Sequence, residues 1–215
     1  MSVRAKICGI NSRAALDAAI AGGASHVGFN FYPPSPRALS DATGRELASI
    51  VPPGVVKVGL LVDEPDDVIA RILGAVPLDL LQLHGSESPA RVRDVKTRFD
   101  RPVMKAIKVA EPGDIAIAER YVETADWLLF DAKAPADMKG ALPGGNALSF
   151  DWQLLAGRHW PLSWMLSGGL NIDNVAAAAH ISGASFVDVS SGVEDRPGVK
   201  NPVKIAAFLQ QVRKL

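Results

Sequence analysis

Short apolar runs alternate with longer segments of helical period along this chain. The runs read as strands are Arg4 to Cys8, His26 to Phe31, Val55 to Val62, Leu78 to Leu83, Val103 to Ile107, Trp127 to Asp131, Ser163 to Leu166 and Phe186 to Val189. Several, such as the stretches Val58-Gly59-Leu60-Leu61-Val62 and Trp127-Leu128-Leu129-Phe130, are apolar on both faces. A strand with one wet face alternates apolar and polar residues, whereas a strand covered on both faces does not. Uninterrupted runs therefore point to a parallel sheet between helices.

The intervening segments carry helix punctuation. Asn11 precedes Ala15, Leu16, Ala19 and Ile20 on one face, with Gly22-Gly23 at the end, which predicts an Asn11-capped helix. Ser88-Pro89, Glu111-Pro112 and Asn201-Pro202 each set a capping residue before a proline, tolerated there because the first turn has no use for its missing N–H. Val92, Val95 and Phe99 form the apolar face of the first of these, and Ile205, Leu209 and Val212 that of the last. Asn171 is read as the cap of a helix containing Val175 and Ala179.

Eight strand–helix units predict an α/β fold, a single-domain (β/α)₈ TIM barrel over residues 1–215. A doubly wound open sheet is the alternative, since strand count does not prove closure. Two irregular stretches, Tyr32 to Ala38 and Ala132 to Ser149, follow strands and so fall at the catalytic face of a barrel.

Composition narrows the partners. The 23 basic and 23 acidic side chains cancel, and no basic block stands out, which argues against nonspecific nucleic-acid binding. The first residues, Met1-Ser2-Val3-Arg4-Ala5-Lys6, lack the apolar stretch of a signal peptide. No apolar run approaches the ~20 residues of a membrane span. The expected setting is a reducing cytoplasm, with a small molecule rather than nucleic acid or membrane as partner.

In such a fold the site is built at the carboxyl ends of the strands, where Cys8, Asp63, His84, Asp131, Ser167-Gly168-Gly169 and Ser190-Ser191-Gly192 stand. The two small-residue turns, Ser167-Gly168-Gly169-Leu170-Asn171 and Asp188-Val189-Ser190-Ser191-Gly192-Val193, supply backbone N–H groups and hydroxyls on the last two units. That is a recurrent phosphate position in barrels; two tight turns needing glycine for backbone reasons are the plainer reading. Cys8, the single cysteine, has no partner for an internal disulfide. It is either a small buried hydrophobe or a reactive thiol. Lys6, about 7 Å away on the same strand face, either assists a thiolate or forms an ion pair deeper in the barrel.

Asp131 ends the most apolar strand. Burial disfavours a carboxylate's charged form, which suits a general acid; a capping or ion-paired aspartate fits equally, and Lys133 is placed to oppose the acid role. Arg37, on the stiff loop Pro33-Pro34-Ser35-Pro36-Arg37, suits bidentate capture of a carboxylate, or is a solvated surface arginine. His84 either bonds a ligand or orders the rim. The four histidines, His26, His84, His159 and His180, show no paired metal-ligand spacing, and no Walker, dinucleotide or serine-hydrolase motif is present.

Taken in order, Lys6-Ile7-Cys8-Gly9-Ile10, Gly28-Phe29 through Ser35-Pro36-Arg37, Leu81-Gln82-Leu83-His84-Gly85, Asp131-Ala132-Lys133, Ser167-Gly168-Gly169-Leu170 and Val187-Asp188-Val189-Ser190-Ser191-Gly192-Val193-Glu194 with Pro197-Gly198-Val199-Lys200 resemble the phosphoribosylanthranilate isomerase family. The resemblance covers nearly the whole chain. It implies a (β/α)₈ barrel of tryptophan biosynthesis, a monomer or homodimer, that performs an Amadori rearrangement of N-(5-phosphoribosyl)anthranilate without cofactor or metal. By motif, Cys8 is the general base, Asp131 the general acid and Arg37 the clamp on the anthranilate carboxylate. His84 contacts substrate, and Gly168, Gly169, Asp188, Ser190, Ser191 and Gly192 hold its phosphate.

One departure is visible. The family commonly has Gly-Gly-Thr-Gly after strand six, where this chain has Gly144-Gly145-Asn146-Ala147. Histidine-pathway isomerases, which resemble a pattern with aspartate at Cys8, metal-dependent epimerases, which need histidine ligands, and a phosphosugar-binding barrel without turnover are the competing readings.

Overall fold

Each apolar run pairs in parallel with the next. The strands are β1 (Arg4–Cys8), β2 (His26–Asn30), β3 (Val56–Leu61), β4 (Leu80–Leu83), β5 (Val103–Val109), β6 (Trp127–Ala132), β7 (Ser163–Leu166) and β8 (Phe186–Val189). Between β8 and β1 the register runs from Arg4↔Phe186 to Ile7↔Val189, and this last pairing makes the sheet a closed barrel. The open-sheet alternative is thereby excluded. The computed structural model describes residues 2–135, 137, 138, 140 and 142–215; residues 136, 139 and 141 of the long loop expected from Ala132 to Ser149, and residue 1, lie outside the described residues.

Among the described residues seven α-helices accompany the strands: α1 (Arg13–Ala21), α2 (Asp41–Ser49), α3 (Asp66–Ala75), α4 (Pro89–Phe99), α5 (Pro112–Ile117), α6 (Val175–Ser182) and α7 (Pro202–Val212). Ser88 and Asn201 cap α4 and α7 through their side chains, with proline in the first turn. Two cap assignments are corrected. Ser12, not Asn11, accepts from Ala15 N to start α1, while Asn11 donates to Gly198 O at 2.8 Å. Asn174 occupies the cap position of α6; Asn171 Oδ1 instead accepts from Asp173 N and Asn174 N in the turn before it.

The sixth unit also departs from the pattern. Among the described residues between β6 and β7 there is a one-turn 3₁₀ helix, Trp152–Leu155, in place of an α-helix. Strand bounds shift by one or two residues at β2 to β6, as at Leu78, whose N–H turns back to Val76 O before β4 begins. After β8 a short antiparallel hairpin, β9 (Glu194–Arg196) and β10 (Val199–Lys200), precedes α7.

The larger core lies between the strands' outer faces and the helices, and includes Ile7, Phe29, Leu61, Leu81, Phe130 and Phe208. Inside the barrel, Val58, Leu80, Met104, Ala106, Leu129 and Met165 form a second cluster. Below it His26, Trp127 and Phe186 meet edge to face, with centroids 4.9–5.9 Å apart, a geometry favoured by the ring quadrupoles. Side chains two residues further along a strand share its face. Polar residues there, above this packed floor, stand at the barrel mouth.

Candidate active site

Two residues beyond the floor, inward positions turn from apolar to polar. Cys8, Asn30, Gln82, Asp131, Ser167 and Asp188 line one cavity at the strands' carboxyl ends, joined by Arg37, His84, Gly168, Gly169, Ser190 and Ser191 from the loops. Of the expected rim and site residues, Asp63 and Gly192 do not line it; Asp63 accepts from Ser86 N and Ser86 Oγ at 2.8 and 3.0 Å in the neighbouring loop, and Gly192 serves packing. A Cβ there would lie 1.9 Å from Leu170 O, so this glycine lets the last two turns pack together.

Cys8 and its surroundings form the β1 side. Lys6 Nζ donates to Asp188 Oδ1 at 2.9 Å, with Lys6 fully buried, and Ser167 Oγ donates to Asp188 Oδ2 at 3.2 Å. Asp188 is thus the counter-ion of Lys6. Burial alone would depress the Lys6 ammonium, but its ion pair with Asp188 outweighs this and lifts Lys6 above the ordinary lysine value. Burial pushes the Cys8 thiol up, and the opposing cations, Lys6 and Lys200, do not fully offset it. Cys8 is therefore harder to ionise than an ordinary thiol, with Lys6 and Lys200 placed to balance the thiolate once it forms.

Asp131 closes the opposite side on β6. Its Oδ1 accepts from Ala132 N at 3.0 Å, and its Oδ2 lies 3.1 Å from His84 Nε2. His84 Nδ1 in turn lies 2.7 Å from Gln82 Nε2. Lys133, expected to bear on Asp131, instead pairs with Asp114 Oδ1 at 2.8 Å: it stands just past the end of β6, where strand alternation no longer sets its direction, and its side chain reaches the first turn of α5.

Arg37 is 4% exposed, which excludes the solvated surface arginine. Asn30 and Ser35 shape its loop: Ser35 Oγ accepts from Asn30 Nδ2 at 3.1 Å and from Arg37 N at 3.2 Å. The guanidinium gives Nε and Nη2 to Glu194 Oε1 and Oε2, both at 2.8 Å, and Nη2 also reaches Gly145 O at 3.3 Å. Glu194 accepts from Lys200 Nζ as well, at 2.7 Å. Burial would raise Glu194, but Arg37 and Lys200 hold it below the usual carboxylate value. Lys200, lowered by its own burial, also donates to Ser190 O and Ser190 Oγ at 2.9 and 3.1 Å. A cation therefore sits directly under the turn read as a phosphate seat.

From the loop after β6, Leu142 to Asn146 and Leu148 line the same cavity. Gly144 and Gly145 have no room for a side chain: a Cβ on Gly144 would lie 2.7 Å from His84 Nε2 and 2.8 Å from Asp131 Oδ2, and one on Gly145 2.6 Å from Arg37 Nη1. Asn146 bridges Leu142 through both its amide atoms, at 3.0 and 2.8 Å. Ala147, where the family pattern has glycine, adopts φ 57°, the left-handed conformation that glycine takes without steric cost.

Gln82, Glu194 and Lys200 line or brace this site without having been singled out from sequence. Gln82 did leave a signal, as the one polar residue in Leu80-Leu81-Gln82-Leu83, a strand apolar on both faces.

Residues 5–211 match the family described as N-(5'phosphoribosyl)anthranilate (PRA) isomerase. The chain is 56% identical over 209 residues to N-(5'-phosphoribosyl)anthranilate isomerase of Rhodospirillum centenum, covering 97% of each. It is 54% identical over 212 residues to that of Cereibacter sphaeroides, covering 98% of this chain and 99% of the relative. Among solved structures, phosphoribosyl anthranilate isomerase from Thermotoga maritima superposes with a TM-score of 0.86 at 35% identity, over 99% of this chain and 100% of that one. A structure of phosphoribosyl anthranilate isomerase in complex with reduced 1-(o-carboxyphenylamino)-1-deoxyribulose 5-phosphate has a TM-score of 0.83 at 34% identity, over 99% and 100% of the two chains.

Proposed function

Since the chain belongs to the phosphoribosylanthranilate isomerase family and is an isomerase of tryptophan biosynthesis, we propose that it rearranges N-(5-phosphoribosyl)anthranilate with Asp131 as general acid and Cys8 as general base. Asp131 gives its proton to the ribose ring oxygen, the ring C–O bond breaks, and the nitrogen lone pair forms an iminium. The Cys8 thiolate, its own proton first lost to water and its charge balanced by Lys6 and Lys200, then removes the proton from C2′, and the C–H electron pair neutralises the iminium as an enolamine. Tautomerisation gives the ketone 1-(2-carboxyphenylamino)-1-deoxyribulose 5-phosphate. No redox partner is needed, because oxidation at C2′ is balanced by reduction at C1′.

The observation that carries this reading is that Cys8 on β1 and Asp131 on β6 line one cavity between two anchoring ends. At one end Arg37 offers Nη1 to a carboxylate while Glu194 holds Nε and Nη2. At the other, the Ser167–Gly169 and Ser190–Ser191 turns over Lys200 suit a phosphate. An acid and a base on opposite sides of an anchored substrate are what a proton transfer of this kind requires.

The test is turnover of phosphoribosylanthranilate made in place and followed by loss of its fluorescence, for wild type, Cys8→Ala and Asp131→Asn. Large losses of kcat in both variants, with product-analogue binding retained, support the assignment. A wild type that binds the analogue without turnover leaves a binding barrel.

A further inference from the structure

Gln82 is fully buried, 0% exposed, and it lines the cavity two residues before His84. Its Nε2 lies 2.7 Å from His84 Nδ1, and His84 Nε2 lies 3.1 Å from Asp131 Oδ2. A neutral imidazole carries one hydrogen, so these two contacts are not independent. With the amide N–H given to Nδ1, the imidazole hydrogen stands on Nε2 and is donated to Asp131.

Among the described residues, Gln82 Oε1 has no hydrogen-bond partner; the other such buried side-chain atoms are the indole nitrogens of Trp152 and Trp160, and neither tryptophan lines the cavity. Among the described residues, His84 is therefore the side-chain partner that fixes the amide.

We propose that Gln82 is the positioning residue of the acid: it holds His84 as the Nε2–H tautomer, which hydrogen-bonds Asp131 Oδ2 and leaves Oδ1 to carry the proton given to substrate. This rests on the reading of Asp131 as the general acid. As the sugar opens, negative charge develops on Asp131, and a donor already aimed at Oδ2 stabilises that charge without reorganisation.

The test combines imidazole ¹⁵N resonances with kinetics, in wild type, Gln82→Glu and Gln82→Leu. His84 is identified among the four histidines by the signal missing in His84→Asn. The expected wild-type state, without ligand at neutral pH, is Nε2 protonated and Nδ1 bare. Gln82→Glu, which offers oxygen alone, puts a proton on Nδ1. Gln82→Leu lowers kcat by roughly tenfold or more, while KM changes by at most about threefold.

A wild-type His84 protonated on Nδ1 and bare on Nε2 overturns the proposal, whether or not the variants fold. So does a Gln82→Leu kcat within about twofold of wild type. Full activity in Asp131→Asn, by contrast, defeats the acid assignment and leaves the tautomer result standing, so the two failures are distinguishable.

Discussion

The guanidinium of Arg37 and the carboxylate of Glu194 form a two-point contact, Nε to Oε1 and Nη2 to Oε2, both at 2.8 Å and both buried. The residues are 157 positions apart in sequence, joined because the β9–β10 hairpin folds back against the loop after β2. The turn of that hairpin is held as closely as its base. Gly198, at φ 83°, leaves no space for a Cβ, which would stand 2.4 Å from Pro36 O, and its carbonyl accepts from Asn11. Three loops are thus tied together around one anion, which also balances Lys200.

Glu194→Gln keeps the shape and removes that charge, leaving two buried cations without their anion. Breaking a buried pair on one side typically costs about 3–5 kcal/mol. We expect a stability loss of about 3 kcal/mol in urea unfolding and product-analogue affinity weakened roughly tenfold or more, because Arg37 is no longer aimed. Affinity unchanged by the substitution would mean that the clamp does not depend on Glu194.

Ala147 offers the opposite kind of change. At φ 57° an L side chain costs roughly 1–2 kcal/mol that glycine does not incur, offset by the greater freedom of glycine in the unfolded chain. Ala147→Gly is expected to be neutral or stabilising by up to about 1 kcal/mol, whereas glycine in an ordinary helix or strand destabilises. Chemical denaturation checks the sign. A clear loss of stability would show that the left-handed turn carries no strain.

This position also shows how far the sequence was legible. The change from glycine to alanine at 147 was visible, but its backbone angle was not. The eight strands were readable because burial on both faces leaves long apolar runs, and the rim residues because strand ends follow from those runs. Caps failed where two polar residues competed within one turn, as Asn11 did with Ser12 and Asn171 with Asn174. The ion pairs of the site were the least legible. Glu194, Lys200 and Arg37 meet through the hairpin, and Lys133 turns away to Asp114, relationships set by tertiary geometry rather than by local pattern.

His26 predicts an acid-sensitive floor. Burial, then the charges of Lys6 and Arg4, lower its pKa from 6.5 to about 4. The unfolded chain takes up this proton near pH 6.5, while the folded protein resists it until about pH 4. Between those values the unfolded state binds more protons, so stability rises with pH; the contribution is complete above 6.5 and is lost on acidification towards 4. The difference corresponds to about 3 kcal/mol. His26→Phe, which keeps a ring against Trp127 and Phe186, is expected to flatten the stability profile in that window. An unchanged slope in urea titrations at several pH values would assign the acid loss to other groups.

Cys8 gives a second pH dependence, in reactivity rather than stability, and its being the single cysteine makes the measurement site-specific. Burial raises its pKa above the ordinary 9.0, against the pull of Lys6 and Lys200. Below its pKa the thiolate fraction grows about tenfold per pH unit, and the thiolate is the form that an alkylating agent captures. Alkylation of the unliganded enzyme by iodoacetamide, followed by intact mass, is therefore expected to accelerate steadily from neutral pH to about pH 9 without a plateau. Its absolute rate is slow, because Cys8 is 6% exposed. A plateau below about pH 8 would show that Lys6 and Lys200 already hold a thiolate in the empty site. The base would then be ready before substrate arrives, instead of being formed as the iminium develops beside it.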